Sequence, residues 1–129
     1  MTLDSSAIVA ILFAEPGYLD LVDAILVSDQ PRVSAPTVVE ASLVLAGRRR
    51  TSTTGEVETL LKELGVTVVP FGERESQTAV GAFMRYGRGR HPAALNFGDC
   101  LAYAAAAAAG DSLLFIGDDF RKTDIAPAS

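Results

Sequence analysis

Cysteine and histidine occur once each in the 129 residues, lysine twice and tryptophan not at all. A lone thiol, Cys100, excludes an internal disulfide framework and fits a reducing compartment. His91 has no metal-ligand spacing around it. Long apolar runs are missing too. The longest, Cys100–Ala109, has ten residues, about half of the roughly 20 that span a bilayer. Ala7–Ala14 is apolar, but it follows Asp4 rather than a basic stretch and ends in Glu15-Pro16-Gly17, unlike a secretory leader. These absences lead to the expectation of a soluble, cytoplasmic protein without membrane contact. Positive charge is also scarce, with eleven basic against sixteen acidic residues and a formal net charge of −5. Whole-molecule attraction to nucleic acid is therefore excluded, and a polyanion must be met by a local basic patch or through a bound cation.

What is present is ordinary globular composition, 49% hydrophobic and 21% charged, in a length that supports one domain over residues 1–129. Helices alternate with short strands. Met1–Leu3, Arg32–Ala35, Val66–Val69 and Leu113–Ile116 read as strands, and the β-branched run Val66–Val69 suggests a central one. Helices are expected over Ser6–Ala14, Tyr18–Val27, Pro36–Ala46, Glu56–Leu64, Glu73–Tyr86 and Phe97–Ala109. Gly65 and Gly110 are the stops of the fourth and sixth helices, and Asn96 is the N-cap of the last. Arg48–Gly55 is a polar connection, and Gly87–Leu95 the most loop-like stretch. Strands separated by helices imply an α/β fold, a three-layer α/β/α sandwich with a mostly parallel sheet.

The isolated acids are the informative feature. Asp4 is the only charged residue among the first fourteen, Glu40 the only one between Val33 and Gly47, and Asp99 the only one between Pro92 and Gly110. Asp118 and Asp119 follow the last strand after a single glycine. Singly, each is accounted for as a cap or a helix-dipole partner. Jointly they are harder to dismiss, because a lone carboxylate on an apolar element must be protonated, paired or metal-bound. The arginines fall mainly in connections or near helix ends, whereas one divalent cation satisfies several carboxylates at once. Hard oxygen ligands with water suit Mg²⁺, with Mn²⁺ as a substitute. In an open parallel sheet, ligands bind outside the carboxyl ends of the strands. Asp4, Glu40, Asp99 and Asp118/Asp119 can all converge there, where such a cluster can activate water against a phosphodiester.

The stretches carrying these acids are Leu3-Asp4-Ser5-Ser6-Ala7, Ser34-Ala35-Pro36 through Val39-Glu40-Ala41, His91 through Asn96-Phe97-Gly98-Asp99-Cys100, and Leu113 through Gly117-Asp118-Asp119-Phe120 with Thr123-Asp124-Ile125. In order and spacing, over essentially the whole chain, they resemble the PIN-domain ribonucleases, specifically the VapC toxins of toxin–antitoxin pairs. The resemblance implies a Mg²⁺-dependent endoribonuclease, inhibited by a VapB-type antitoxin and forming a homodimer. It carries Asp4, Glu40 and Asp99 over as the family's best-defined acids. The fourth position departs from the pattern: many relatives have an acid where this chain has Gly117 and another two residues later, so Asp119 is favoured and Asp118 kept as its neighbour. Asp4 and Asp99 are then metal ligands, Glu40 orients or deprotonates the attacking water, and Ser6 supports the cluster, although an N-cap role for Ser5 or Ser6 accounts for it as well.

Arg85, Arg88, Arg90 and His91 form a basic patch that either binds the RNA backbone or is a solvated loop. Tyr86 either stacks on a base or joins the core. Arg48-Arg49-Arg50 reads as a helix end meeting its own dipole, or as a contact for an acidic antitoxin segment. Cys100 reads as a small buried hydrophobe. The apolar faces of Ile8–Phe13 and Leu19–Leu26 exceed what one small core obviously needs and would suit a partner helix or a dimer. Two other readings stay open. A receiver-like signalling module would need a lysine near the end of a late strand, and Lys122 lies past Phe120. A PIN-like scaffold that has lost catalysis and acts only as a binding partner is the other.

Overall fold

The computed structural model describes residues 1–50 and 55–128. Its elements run β1 (Thr2–Leu3), α1 (Ser5–Leu12), α2 (Tyr18–Val27), β2 (Arg32–Ser34), α3 (Ala35–Arg49), α4 (Glu56–Glu63), β3 (Thr67–Val69), α5 (Glu73–Tyr86), α6 (Phe97–Ala109) and β4 (Leu113–Leu114), then a 3₁₀ turn over Phe120–Lys122. All strand pairs are parallel and the order is β3-β2-β1-β4. Thr2 pairs with Arg32 on one side and Leu113 on the other. The chain steps outward from β1 through β2 to β3, then returns to add β4 on the opposite side. The gap between β1 and β4 is thus where the winding direction reverses, the position at which open α/β sheets leave a crevice.

Both faces of the sheet are covered by helices, and β1 and β4 are buried on both sides. Successive side chains of a strand point to opposite faces, and Leu114 and Leu113 accordingly join different clusters. Leu114 packs with Leu3, Val33 and the buried sides of α1–α4, including Ile8, Ile25, Leu45 and Leu61. Leu113 packs with Leu95, Phe115, Phe120 and the facing sides of α5 and α6. In α6 the run of alanines gives strong helix propensity and a thin cross-section, and Ala102, Ala104 and Ala106 are fully buried. Gly65 and Gly110 adopt φ of +69° and +64° past the ends of α4 and α6, left-handed conformations that glycine reaches without a Cβ clash.

The differences from expectation have local causes. Val66–Val69 does form a strand, over Thr67–Val69, but on the edge rather than in the centre: among the described residues β3 pairs only with β2, and Val68 is half exposed. Its β-branched residues set strand character, whereas the crossovers set strand order. The last strand ends at Leu114 instead of Ile116. The third helix continues past Gly47 to Arg49, where Arg48 and Arg49 complement its dipole, lie over the Phe13 ring and pair with Glu15 and Glu56. The expected polar connection over Arg48–Gly55 therefore begins inside that helix, and its residues 51–54 lie outside the described residues. The first helix spans Ser5–Leu12 rather than Ser6–Ala14; Ala14, at φ +48°, lies past its end. No helix among the described residues is long and apolar enough to cross a membrane.

Candidate active site

Asp4 leaves β1 at the carboxyl edge and is only 3% exposed. Its backbone N–H donates to Leu114 O at 2.9 Å, fixing it beside the end of β4. It also caps α1: Oδ2 accepts the Ser6 backbone N–H at 3.1 Å and the Ser6 hydroxyl at 2.6 Å. The capping role foreseen for Ser5 or Ser6 thus belongs to Asp4, because the strand delivers its carboxylate directly onto the helix start. Ser6 Oγ in turn accepts the Ile116 N–H at 3.0 Å, tying the chain beyond β4 to Asp4. The other carboxylate oxygen, Oδ1, is buried without a hydrogen-bond partner among the described residues. Burial pushes the Asp4 carboxyl up to about 6, the two Ser6 bonds oppose that rise, and the charges of Asp99 and Glu40 add to it.

Asp99 is the third residue of α6 and completes a reciprocal cap with Asn96. The Asn96 N–H donates to Asp99 Oδ2 at 3.0 Å, and the Asp99 N–H to Asn96 Oδ1 at 2.8 Å. Asn96 is the expected N-cap. Partial burial raises the Asp99 carboxyl; the Asn96 bond lowers it, the charges of Asp119 and Glu40 raise it, and Arg88 lowers it. Glu40, in the second turn of α3, is half-buried and lies against Gly98 of α6. Asp118 and Asp119 are both exposed in the loop between β4 and the 3₁₀ turn, and it is the Asp119 charge that acts on Asp99. Asp4, Glu40, Asp99 and Asp119 thus come from four separate segments, with the Glu40 and Asp99 charges acting on Asp4 and those of Glu40 and Asp119 on Asp99.

Several arginines have partners outside this group: Arg32 with Asp111, Arg48 with Glu15, Arg49 with Glu56 and Arg85 with Asp124. Within the basic patch, Arg88 is the guanidinium felt at Asp99. Arg85 lies over the Tyr86 ring and Arg90 over the Phe83 ring. His91 Nδ1 accepts the Ala93 N–H. Tyr86 is in the core, with His91 against its ring edge and its hydroxyl accepting the Asp124 N–H, so it is no platform for a base. Cys100 is buried, and burial pushes its thiol up. Sequence reasoning missed a link on the far side of the acid loop, the 2.6 Å bond from Tyr103 Oη to Asp124 Oδ1 that anchors the chain after Phe120. Only the Thr123-Asp124-Ile125 stretch signalled it.

Among the described residues, no three acidic, histidine or cysteine side chains stand close enough to cage an ion by themselves. Mg²⁺ does not need such a cage, since it keeps several waters and takes one or two carboxylates. The partnerless Oδ1 of buried Asp4 and the neighbouring Asp99 carboxylate are hard oxygen donors of that kind. The residues present fit a Mg²⁺ or Mn²⁺ ion.

Comparison with known proteins decides the family. The PIN domain family matches residues 1–126. A VapC ribonuclease of Mycobacterium bovis is 42% identical over 126 residues, covering 97% of this chain and 91% of the relative. The chain belongs to the PIN-domain family, among its VapC ribonucleases. Ribonuclease VapC42 of Mycobacterium tuberculosis is 43% identical over 129 residues, spanning 99% of this VapC-like chain and 98% of its own. The crystal structure of VapC20 from Mycobacterium tuberculosis, described as a sarcin–ricin loop cleaving toxin, superposes with a TM-score of 0.73 at 16% identity, over 96% of this chain and 95% of that one. A toxin–antitoxin complex from Klebsiella pneumoniae gives 0.70 at 14% identity, over 95% and 92%. At those identities the two structures show the shared PIN fold. Membership of this family removes the receiver-like reading, whose lysine the structure places in the 3₁₀ turn as Lys122.

Proposed function

We propose that this single PIN domain is a cytoplasmic, metal-dependent endoribonuclease toxin that hydrolyses RNA phosphodiester bonds and is neutralised by a VapB-type antitoxin. The observation that carries this reading is the buried, partnerless Oδ1 of Asp4 beside the charges of Glu40 and Asp99. Desolvating a carboxylate without a partner costs several kcal/mol, on the order of what a bound cation offsets. Asp4 and Asp99 would hold Mg²⁺ or Mn²⁺ through oxygens that Ser6 and Asn96 leave available. Such an ion would supply Lewis-acid chemistry at the phosphate and make water a better nucleophile near neutral pH.

Glu40 orients the attacking water and accepts its proton, the general-base role open to a carboxylate within reach of that water. Asp119 completes the acidic rim, with Asp118 as its neighbour. Ser6 holds Asp4 in one orientation and ties it to the strand-end loop. Arg88 and Arg90, both exposed, contact the RNA backbone. Arg85 contributes less, because Asp124 engages its guanidinium.

Of the two apolar faces that the sequence suggested for a partner, the one on α2 is exposed. Ile8 and Val9 of α1 lie in the core, and although Leu19 and Leu26 of α2 are exposed, another apolar face borders the acids. There Val39, Leu43 and Phe97 are 56%, 67% and 80% exposed along a groove of about 710 Å³ between α3 and α6. A patch of this type marks an interaction surface, and it supports a homodimer.

The test is the purified protein with a pool of structured RNAs, with Mg²⁺, with Mn²⁺ and with EDTA. Defined cuts that need the metal and vanish in Asp4→Ala are expected. Metal-independent cleavage would refute the mechanism, and binding without cutting would favour the catalytically silent scaffold. Growth arrest on induction, relieved by co-expressing the product of an adjacent small upstream reading frame, is the expected result for the toxin role. Sedimentation of the purified chain at twice its monomer mass is expected for the dimer.

A further inference from the structure

Gly98 is the second residue of α6, buried and flanked by the exposed Phe97 and the acid Asp99. Its φ is not in the left-handed region, so no backbone demand requires glycine here, and alanine outranks glycine in a helix. The rest of α6 beyond Cys100-Leu101 is almost wholly alanine. The reason for glycine is spatial. A Cβ built on Gly98 would overlap Glu40 Oε2 outright and stand 2.5 Å from its Cδ and 2.8 Å from its Oε1. No other side chain or backbone atom is among the three nearest. The Glu40 carboxylate thus occupies the volume that any larger residue at position 98 would fill, where the positive end of α6 favours a negative group.

We propose that Gly98 is a positioning residue: its missing side chain is the seat of the Glu40 carboxylate, holding that group beside Asp99 across the α3–α6 contact. The inference rests on the nuclease reading for its kinetic consequence, but not for the contact itself. Because the obstructing atoms are the far end of a flexible side chain, Gly98→Ala is expected to fold, with Glu40 displaced rather than the helix. The same methyl group that favours the helix should therefore impair the site.

Four proteins test this: wild type, Gly98→Ala, Glu40→Ala and the double variant. Thermal denaturation of the metal-free chains reads the contact. Gly98→Ala is expected to raise the melting temperature more in the Glu40→Ala background, where nothing occupies the space, than in the wild-type background. RNA cleavage reads the consequence. Gly98→Ala should lower kcat at least about tenfold, less than the roughly hundredfold or more of removing a placed proton acceptor because Glu40 is displaced rather than lost, with KM for RNA unchanged. It should cause no further loss once Glu40 is alanine. Equal melting increments in the two backgrounds, or a melting loss in both, would overturn the proposal, as would wild-type kcat in Gly98→Ala. If the wild type cuts no RNA, the nuclease reading fails, while the melting comparison still decides whether Gly98 seats Glu40.

Discussion

The hydroxyl of Ser6 donates a 2.6 Å hydrogen bond to Oδ2 of Asp4 while Oδ1 of the same carboxylate stays buried and unpartnered. One oxygen is held by the protein and the other is left over. Because Ser6 also accepts the Ile116 N–H, this hydroxyl joins the ends of β1 and β4 at the sheet's reversal point.

Ser6→Ala removes an interaction that lowers the Asp4 pKa, leaving burial, the largest influence, less opposed. The carboxylate must be ionised to bind a cation. The acid limb of the cleavage pH profile is therefore expected to move to higher pH, with a loss of about ten- to hundredfold in metal affinity, as for other ligand-supporting partners. Rate profiles from pH 5 to 9 and Mn²⁺ titrations check both. An unmoved acid limb would count against the link.

Asp4→Asn should separate stability from activity. Burial raises the Asp4 carboxyl from 3.8 to about 6 in the folded chain. Between these values the folded state holds a proton that the unfolded state has released. Stability from this group is thus fully present below about pH 4 and is lost as pH rises through about 6. Asparagine has no charge to desolvate, and its carbonyl can still accept from Ser6. At pH 7.5 without metal the variant should be more stable by up to about 3 kcal/mol, at about 1.36 kcal/mol per pKa unit, yet inactive. Melting curves at pH 4 and 7.5 should show the gain at the higher pH only.

Asp119 and Asp118 should not be equivalent, since the Asp119 charge acts on Asp99. Asp119→Asn is expected to reduce metal-dependent cleavage about ten- to hundredfold, as loss of an outer metal-site partner does. Asp118→Asn should stay within about threefold, the size of a surface-charge effect. Single-turnover rates at saturating Mg²⁺ discriminate them, and the reverse ranking would move the fourth acid to Asp118.

Tyr103→Phe removes the bond to Asp124, whose pKa is lowered mainly by that bond. A depressed carboxyl contributes stability above its unfolded pKa and loses it as pH falls through its folded value. With Asp124 partly exposed, the expected cost at pH 7 is about 1 kcal/mol after allowing for solvent screening. The deficit relative to wild type should shrink at pH 3, as chemical denaturation at the two pH values would reveal.

Much of this protein is readable from the chain because its signals are local. The Pro36 helix start, the Asn96 cap and the Gly65 and Gly110 stops depend on a few adjacent residues, and each lies where expected. The isolation of Asp4, Glu40 and Asp99 in apolar segments is likewise visible without coordinates, since desolvation makes an unpartnered acid conspicuous. Placement in space is not local. Val66–Val69 announces a strand but not an edge, and Tyr86 announces an aromatic but not its burial against His91.

Sequence alone therefore determined which elements form, the α/β class and which acids stand isolated in apolar segments, because backbone propensity and hydrophobic pattern act over a few neighbouring residues. Tertiary structure alone decided that Ser6 bridges Asp4 to Ile116, that Arg85 answers Asp124, and that Glu40 sits where a Gly98 side chain would be. Those relationships join residues up to 110 positions apart, and such contacts exist only once the strand order has brought their segments together.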